Sequence, residues 1–173
     1  MDVGIAGAAD CLIASGEIPP TAIVTLDGSR VATQGGPNPP MERLVVDEAL
    51  PYLRAKYPSL AGPAHTSIGG ISRGGDWALR IAANRPGTFA AVGGHSPAPE
   101  LQLDQVRALA SQNIRVWLDA GTDDPFLPDV HELAASLRSI GFGSMVMTWP
   151  GGHDRSYWSS HVEDYLRFYA NAW

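Results

Sequence analysis

The chain has 173 residues, a formal net charge of −6, 45% hydrophobic and 17% charged residues. This length is typical of one domain with a core that needs no metal or disulfide, so we predict a single domain over residues 1–173. The acidic balance argues against a nucleic-acid-binding protein, which needs a clustered basic face, and no apolar run reaches the roughly 18 residues of a membrane span.

Cys11 is the single cysteine in the sequence, which excludes an internal disulfide and favours a reducing compartment. The first residues lack the basic start of a signal peptide. We therefore expect a cytoplasmic protein that binds neither nucleic acid nor membrane.

Short apolar runs that are rich in β-branched residues or flanked by glycine predict five strands. In chain order they are Ala22–Leu26, Thr66–Ile71, Ala90–Gly94, Arg115–Asp119 and Ser144–Trp149. Apolar residues at helical spacing lie around residues 45–53, 77–82, 133–140 and 162–169, and Pro51 predicts a kink in the first of these helices. Strands that alternate with helices predict a three-layer α/β/α fold with a mostly parallel sheet of about five strands. Functional sites in such sheets lie beyond the carboxyl ends of the strands.

The segment Gly70-Ile71-Ser72-Arg73-Gly74 matches the G-x-S-x-G motif between a predicted strand and a predicted helix. This is the place of a nucleophile elbow, where a serine sits on a strained turn and side chains at the glycine positions would collide with neighbouring backbone. A helix that starts here directs its N–H groups towards developing negative charge, which makes the Arg73 N–H a candidate oxyanion donor. The alternative is an ordinary turn in which Ser72 caps the helix.

A second segment, Gly94-His95-Ser96-Pro97-Ala98, has a similar form. Prolines at positions 97 and 99 disfavour a helix directly after it. We therefore interpret this segment as a loop that lines the site, with His95 as a candidate substrate-binding residue.

A serine nucleophile needs a base and an acid that orients the base. The ends of two later predicted strands supply Gly121-Thr122-Asp123-Asp124-Pro125 and Gly151-Gly152-His153-Asp154, in the chain order serine, aspartate, histidine. Asp123 and Asp124 compete for the acid role, and the Gly-x-x-Asp spacing favours Asp124. The alternatives are a turn-forming aspartate pair and an exposed loop histidine.

Other kinds of site have little support in the sequence. No histidines have metal-ligand spacing, so we expect no metal site. No phosphate loop or dinucleotide fingerprint occurs, so we expect no organic cofactor.

In its motif-bearing segments the chain resembles the Putative esterase family of α/β-hydrolases, which includes S-formylglutathione hydrolases, enterochelin and feruloyl esterases and mycolyltransferases. The matching stretches are Leu12–Gly28, Glu48–Tyr57, Ile68–Ala78, Val116–Phe126 and Gly151–Trp158. The resemblance implies a minimal α/β-hydrolase fold with Ser72 as nucleophile, Asp124 as acid and His153 as base. Trp158, which follows the family-typical Gly-Gly-His-Asp segment, is a candidate substrate-binding residue.

The sequence also differs from members of this family in one respect. Family members carry about three further strands before the matching segment, and the last of these ends in a His-Gly loop that donates one oxyanion N–H. No such loop is found in this sequence. We expect Ala22–Leu26 to pair beside Thr66–Ile71, which would make the N–H groups of Gly28 and Ser29 the second oxyanion donor. An unpaired sheet edge would favour a homo-oligomer.

These observations predict a serine carboxylesterase that hydrolyses small-molecule esters of small acyl groups through an acyl-enzyme. Acyl transfer to another alcohol uses the same chemistry, and the sequence does not separate the two. The alternative is a weakly active or inactive relative that acts as a binding module or needs a partner chain to complete the sheet.

Overall fold

A computed structural model describes residues 3–26, 40–58 and 62–171. Its strands are β1 (Ser67–Ile71), β2 (Ala91–His95), β3 (Arg115–Gly121) and β4 (Met145–Trp149). Its α-helices are α1 (Ile5–Ala14), α2 (Pro40–Arg43), α3 (Leu50–Lys56), α4 (Arg73–Asn84), α5 (Leu103–Ala110), α6 (Leu127–Ser139) and α7 (Arg155–Ala170). A π-helical segment, Leu44–Ala49, joins α2 to α3, and a short 3₁₀ turn, Pro63–His65, precedes β1.

The four strands form one parallel sheet in the order β1-β2-β3-β4. Side chains along β3 alternate between its two faces. Val116, Leu118 and Ala120 contribute to the larger core that includes residues of α4, α5 and α6. Trp117 packs instead with Tyr165 and other aromatic residues of α7. Helices therefore cover both faces of a parallel sheet, which confirms the predicted α/β/α fold class.

The predicted strand at Ala22–Leu26 is wrong. Residues 21–26 have no regular secondary structure, and Ile23, Val24 and Leu26 are exposed. Among the described residues β1 pairs only with β2, so the sheet has four strands and Ala22–Leu26 does not lie beside β1 as a strand. Apolar β-branched residues favour a strand only where a neighbouring strand pairs with them. Pairing of a sheet edge with a second chain stays a prediction.

The predicted helices around residues 77–82, 133–140 and 162–169 correspond to α4, α6 and α7, whereas α1 and α5 were not predicted. The irregularity expected at Pro51 occurs just before it. The Leu50 N–H donates to the Val45 carbonyl five residues earlier, at the end of the π-helical segment. Pro51 has no N–H to continue a regular ladder, so the helix changes its hydrogen-bond spacing at this point. No helix in the described ranges is both long and apolar enough to cross a membrane.

Candidate active site

Ser72 lies on a sharp turn between β1 and α4, with φ +54° and ψ −123°. Such a backbone conformation costs a non-glycine residue on the order of 1–3 kcal/mol, so surrounding bonds must hold it. The Ser72 N–H donates to the His95 carbonyl at 2.8 Å, and the Ser72 carbonyl accepts the N–H groups of Gly75 and Asp76 at 2.9 and 3.2 Å. The Ser72 side chain makes no capping hydrogen bond to α4. The turn therefore presents the hydroxyl rather than using it as a helix cap.

The glycines around Ser72 have different roles. A Cβ added at Gly70 would overlap the Gly74 carbonyl and lie 2.8 Å from the Gly75 nitrogen. A Cβ at Gly75 would lie 2.9 Å from the Gly70 oxygen, whereas a Cβ at Gly74 would meet nothing within 4 Å. The steric reason predicted for both motif glycines therefore applies to Gly70 and not to Gly74. Gly75 is the other glycine near Ser72 at which an added Cβ would meet a backbone atom.

Three side chains from separate strand ends meet in one hydrogen-bonded chain. His153 Nε2 lies 2.9 Å from Ser72 Oγ, and His153 Nδ1 lies 3.0 and 3.2 Å from the two carboxylate oxygens of Asp124. Because a carboxylate only accepts hydrogen bonds, Nδ1 carries the ring proton and Nε2 is the acceptor. The structure thus directs a free imidazole lone pair at the Ser72 hydroxyl. The Asp124 side chain is fully buried, and 23% of the His153 side chain is exposed.

The structure separates the two neighbouring aspartates. Asp123 is exposed, and its N–H donates to the Gly151 carbonyl. Asp124 is buried, and its Oδ1 also accepts the Phe126 N–H at 2.9 Å. The second bond fixes the carboxylate plane, so the geometry favours Asp124 over Asp123 as the partner of His153.

The segment that carries His153 is held by the start of α7. Asp154 is the N-cap of this helix, and its Oδ1 accepts the Tyr157 N–H at 3.1 Å. The rings of Phe126 and Trp158 each lie edge-on to the imidazole, with ring centroids 5.0 Å away. Aromatic packing of this kind restricts rotation of the His153 side chain.

The two candidate substrate-binding residues are both buried. His95 is 3% exposed, and both of its ring nitrogens are hydrogen-bonded within the protein. Trp158 is 2% exposed, and its indole N–H donates to Ser96 Oγ at 2.9 Å. Direct contact with a substrate does not fit either residue, because at most 3% of each is exposed and the ring nitrogens of both are hydrogen-bonded within the protein. Ser96 itself is fully buried, with φ +49°, so its hydroxyl is not available as a nucleophile.

Arg73 is the first residue of α4 and directly follows Ser72. Its N–H belongs to the first helical turn, whose N–H groups have no acceptor within the helix. Gly28 and Ser29 lie outside the described residues. No cluster of three or more potential metal ligands occurs in the part of the chain that the structure describes.

Sequence reasoning missed Asp119, a fully buried carboxylate on the α7 side of β3. Four donors surround it: His95 Nδ1 at 2.6 Å, Trp117 Nε1 at 2.7 Å, and the hydroxyls of Tyr157 and Tyr165 at 3.1 and 3.0 Å. Burial, reinforced by the negative charge of Asp119, raises the pKa of both tyrosines, so they stay protonated and donate. An aspartate directly after the apolar run Val116–Leu118 was the available signal, because a buried carboxylate needs hydrogen-bond partners.

The model of the Putative esterase family matches residues 2–169. The chain belongs to this family. The iron(III) salmochelin esterase of Escherichia coli is 28% identical over an alignment of 190 residues, which covers 94% of this chain and 46% of that protein. The chain thus spans about half the length of the curated relative it matches.

Solved structures of esterases share the fold. A ferulic acid esterase has a TM-score of 0.83 and 24% identity, with 99% of this chain and 78% of that chain covered. The feruloyl esterase module of Clostridium thermocellum in complex with sinapinate has a TM-score of 0.78 and 17% identity, covering 96% and 70%. The enterobactin esterase of Shigella flexneri has a TM-score of 0.77 and 24% identity, covering 92% and 46%. The described fold is therefore that of α/β-hydrolase esterases.

Proposed function

We propose that this protein is a serine carboxylesterase that hydrolyses small acyl esters through an acyl-enzyme. The observation that carries the proposal is the hydrogen-bonded chain from Asp124 through His153 to Ser72, with Ser72 on a strained turn. A serine that only stabilised a helix would have no reason to face an imidazole fixed by a buried carboxylate. Membership of an esterase family supports the same chemistry.

In the proposed reaction, Ser72 Oγ attacks the ester carbonyl carbon while its proton moves to His153 Nε2. The new Oγ–C bond gives a tetrahedral intermediate. This collapses when the bond to the alcohol oxygen breaks and the leaving alcohol takes the proton from His153. Water then attacks the acyl-enzyme and gives a proton to the same nitrogen, and the acid leaves as Ser72 regains its hydrogen. Asp124 keeps the imidazole in the required tautomer and stabilises its charged form.

The Arg73 N–H is the oxyanion donor that we assign. It lies at the N-terminus of α4, where the aligned peptide dipoles favour negative charge. Gly28 and Ser29 were expected as a second donor because a strand at Ala22–Leu26 would bring them beside β1, and Ala22–Leu26 is not a strand. Loss of one oxyanion donor typically costs about 10²–10³ in kcat, so the absolute rate reports whether a second donor is present.

A panel of p-nitrophenyl esters of increasing acyl length tests the proposal. The wild type should release p-nitrophenol fastest from short acyl chains, and Ser72→Ala and His153→Ala should each lower kcat by at least about 10³. His131→Ala serves as the matched control, because His131 is an exposed residue of α6. Absence of hydrolysis by the folded wild type, or an unchanged rate in Ser72→Ala, would overturn the proposal and favour a binding role.

The molecules present in two of the related structures suggest two further esters for the panel. Sinapinate and 2,3-dihydroxybenzoylserine, found with the Clostridium thermocellum and Shigella flexneri enzymes, both carry an oxygen-substituted aromatic ring. Methyl sinapinate tests an aromatic acyl group, and a serine ester of N-dihydroxybenzoylserine tests an aromatic group one amide away. A preference for either over the short acyl esters would replace the small-acyl assignment without changing the reaction type.

A further inference from the structure

The turn that carries Ser72 depends on the position of His95. The Ser72 N–H donates to the His95 carbonyl at 2.8 Å. The His95 side chain in turn donates from Nδ1 to Asp119 at 2.6 Å, and its Nε2 shares a hydrogen bond of 2.7 Å with the Tyr169 hydroxyl. Its ring also stacks on Tyr165 at 3.6 Å. With both nitrogens bonded and one face covered, His95 cannot shift without breaking its bond to Asp119.

The segment that carries His153 depends on the same carboxylate through Tyr157. The Tyr157 hydroxyl donates to Asp119 Oδ2 at 3.1 Å, and the Tyr157 N–H donates to Asp154 at 3.1 Å. The Tyr157 ring also packs against Gly151, where an added Cβ would lie 2.8 Å from ring carbon Cδ2. Tyr157 therefore contacts the chain on both sides of His153.

One buried carboxylate is thus connected to both partners of the 2.9 Å contact between Ser72 and His153. We propose that Asp119 is a positioning residue that sets this contact, through His95 on the serine side and through Tyr157 on the histidine side. It does not touch the reacting atoms. The consequence for catalysis rests on the proposed esterase function, whereas the consequence for geometry does not.

A purely structural role for Asp119, called the fastening role below, would be to hold α7 against the sheet through the hydrogen bonds that it accepts from this helix. Tyr157 and Tyr165 separate the two roles, because both belong to α7 and both donate to Asp119 Oδ2, at 3.1 and 3.0 Å. Both are buried. Tyr157 bonds Asp154 and packs against Gly151, on either side of His153. Tyr165 acts on the serine side through its ring, which stacks on His95 and which Tyr165→Phe keeps. A fastening role makes the two hydroxyls equivalent, and a positioning role does not.

The test compares Tyr157→Phe with Tyr165→Phe, each of which removes one hydroxyl and keeps the ring. We expect Tyr157→Phe to lower kcat by about tenfold or more with KM nearly unchanged, since small displacements of reacting groups cost up to about 10² in rate. Tyr165→Phe should stay within about twofold of the wild type. Crystal structures of both variants should show a longer Ser72 Oγ–His153 Nε2 distance in Tyr157→Phe alone. Asp119→Asn should lose more kcat than either, and the tyrosine pair decides the matter if that variant does not fold.

Equal losses of kcat in the two tyrosine variants, or an unchanged Ser72–His153 distance in Tyr157→Phe, would overturn the inference. Failure of the esterase proposal has a different signature: the wild type would hydrolyse no ester. The distances in the crystal structures would still decide the positioning role in that case, because they need no turnover.

Discussion

Gly70→Ala and Gly74→Ala form a matched pair, because the two glycines of the serine motif differ in what surrounds them. At Gly70 an added Cβ would overlap the Gly74 carbonyl and approach the Gly75 nitrogen at 2.8 Å. These are backbone atoms of the turn and of the first turn of α4, so they cannot give way as a flexible side chain can. Overpacking of this kind costs about 1–3 kcal/mol. In a protein of this size that corresponds to a fall in Tm of roughly 3–10 °C.

At Gly74 the same methyl group meets nothing within 4 Å. Alanine in a helix is more favourable than glycine by about 0.5–1 kcal/mol, so Gly74→Ala should unfold at the wild-type temperature or a few degrees higher. Thermal unfolding followed by circular dichroism measures both effects. The rate of reaction with a fluorophosphonate probe reports separately whether the turn still presents Ser72.

We expect Gly70→Ala to unfold earlier and to react more slowly with the probe. An unchanged Tm in Gly70→Ala would show that the turn relaxes at no cost. A similar loss of stability in both variants would show that the two glycines are equivalent. Either result would refute the steric reasoning.

Three further predictions follow from buried carboxylates. Asp124→Asn should lower kcat for p-nitrophenyl acetate by about 10³ or more, whereas Asp123→Asn, at an exposed position, should stay within about threefold; similar losses in both would contradict the assignment. Burial raises the pKa of Asp76 above its ordinary value of 3.8, so its contribution to stability is present below that pH and is lost as the pH rises through the raised pKa. Urea unfolding of the wild type and of Asp76→Asn, each at about pH 3 and about pH 7, measures this effect. The wild type should lose stability relative to the variant at the higher pH. A difference in free energy of unfolding that is the same at both pH values would exclude the effect. Glu42→Gln weakens the 2.6 Å bond that joins buried Glu42 to Arg85. The free energy of unfolding, measured by urea titration, should fall by about 1–3 kcal/mol. An unchanged free energy of unfolding would show that solvent replaces the ion pair.

The sequence predicted best where a local pattern has one structural solution. The glycine-flanked Ser72 between a strand and a helix can form few turns other than the one observed, with φ +54°. Asp124 and His153 follow β3 and β4, and the carboxyl ends of parallel strands lie at the same sheet edge. Their approach to Ser72 could therefore be predicted without knowledge of any side-chain contact.

The failures concern features that depend on distant parts of the chain. The apolar run Ala22–Leu26 has the composition of a strand, but among the described residues it has no strand partner. His95 was predicted to lie in a loop that lines the site, yet it is the last residue of β2, and its side chain faces α7 and binds Asp119. Which face a residue occupies is set by the register of the whole sheet and by the helix packed on it. The face that His95 occupies therefore cannot be inferred from the residues next to it in the sequence.

In the proposed reaction the Ser72 hydroxyl is a nucleophile activated by His153. Intact-mass spectrometry after incubation with a fluorophosphonate tests this most directly, with the modified peptide sequenced to locate the adduct. We predict one phosphonyl adduct on Ser72 of the wild type and none on Ser72→Ala, with markedly slower labelling of His153→Ala. A folded wild type that stays unmodified, or an adduct that persists in Ser72→Ala, would show that Ser72 is not this nucleophile.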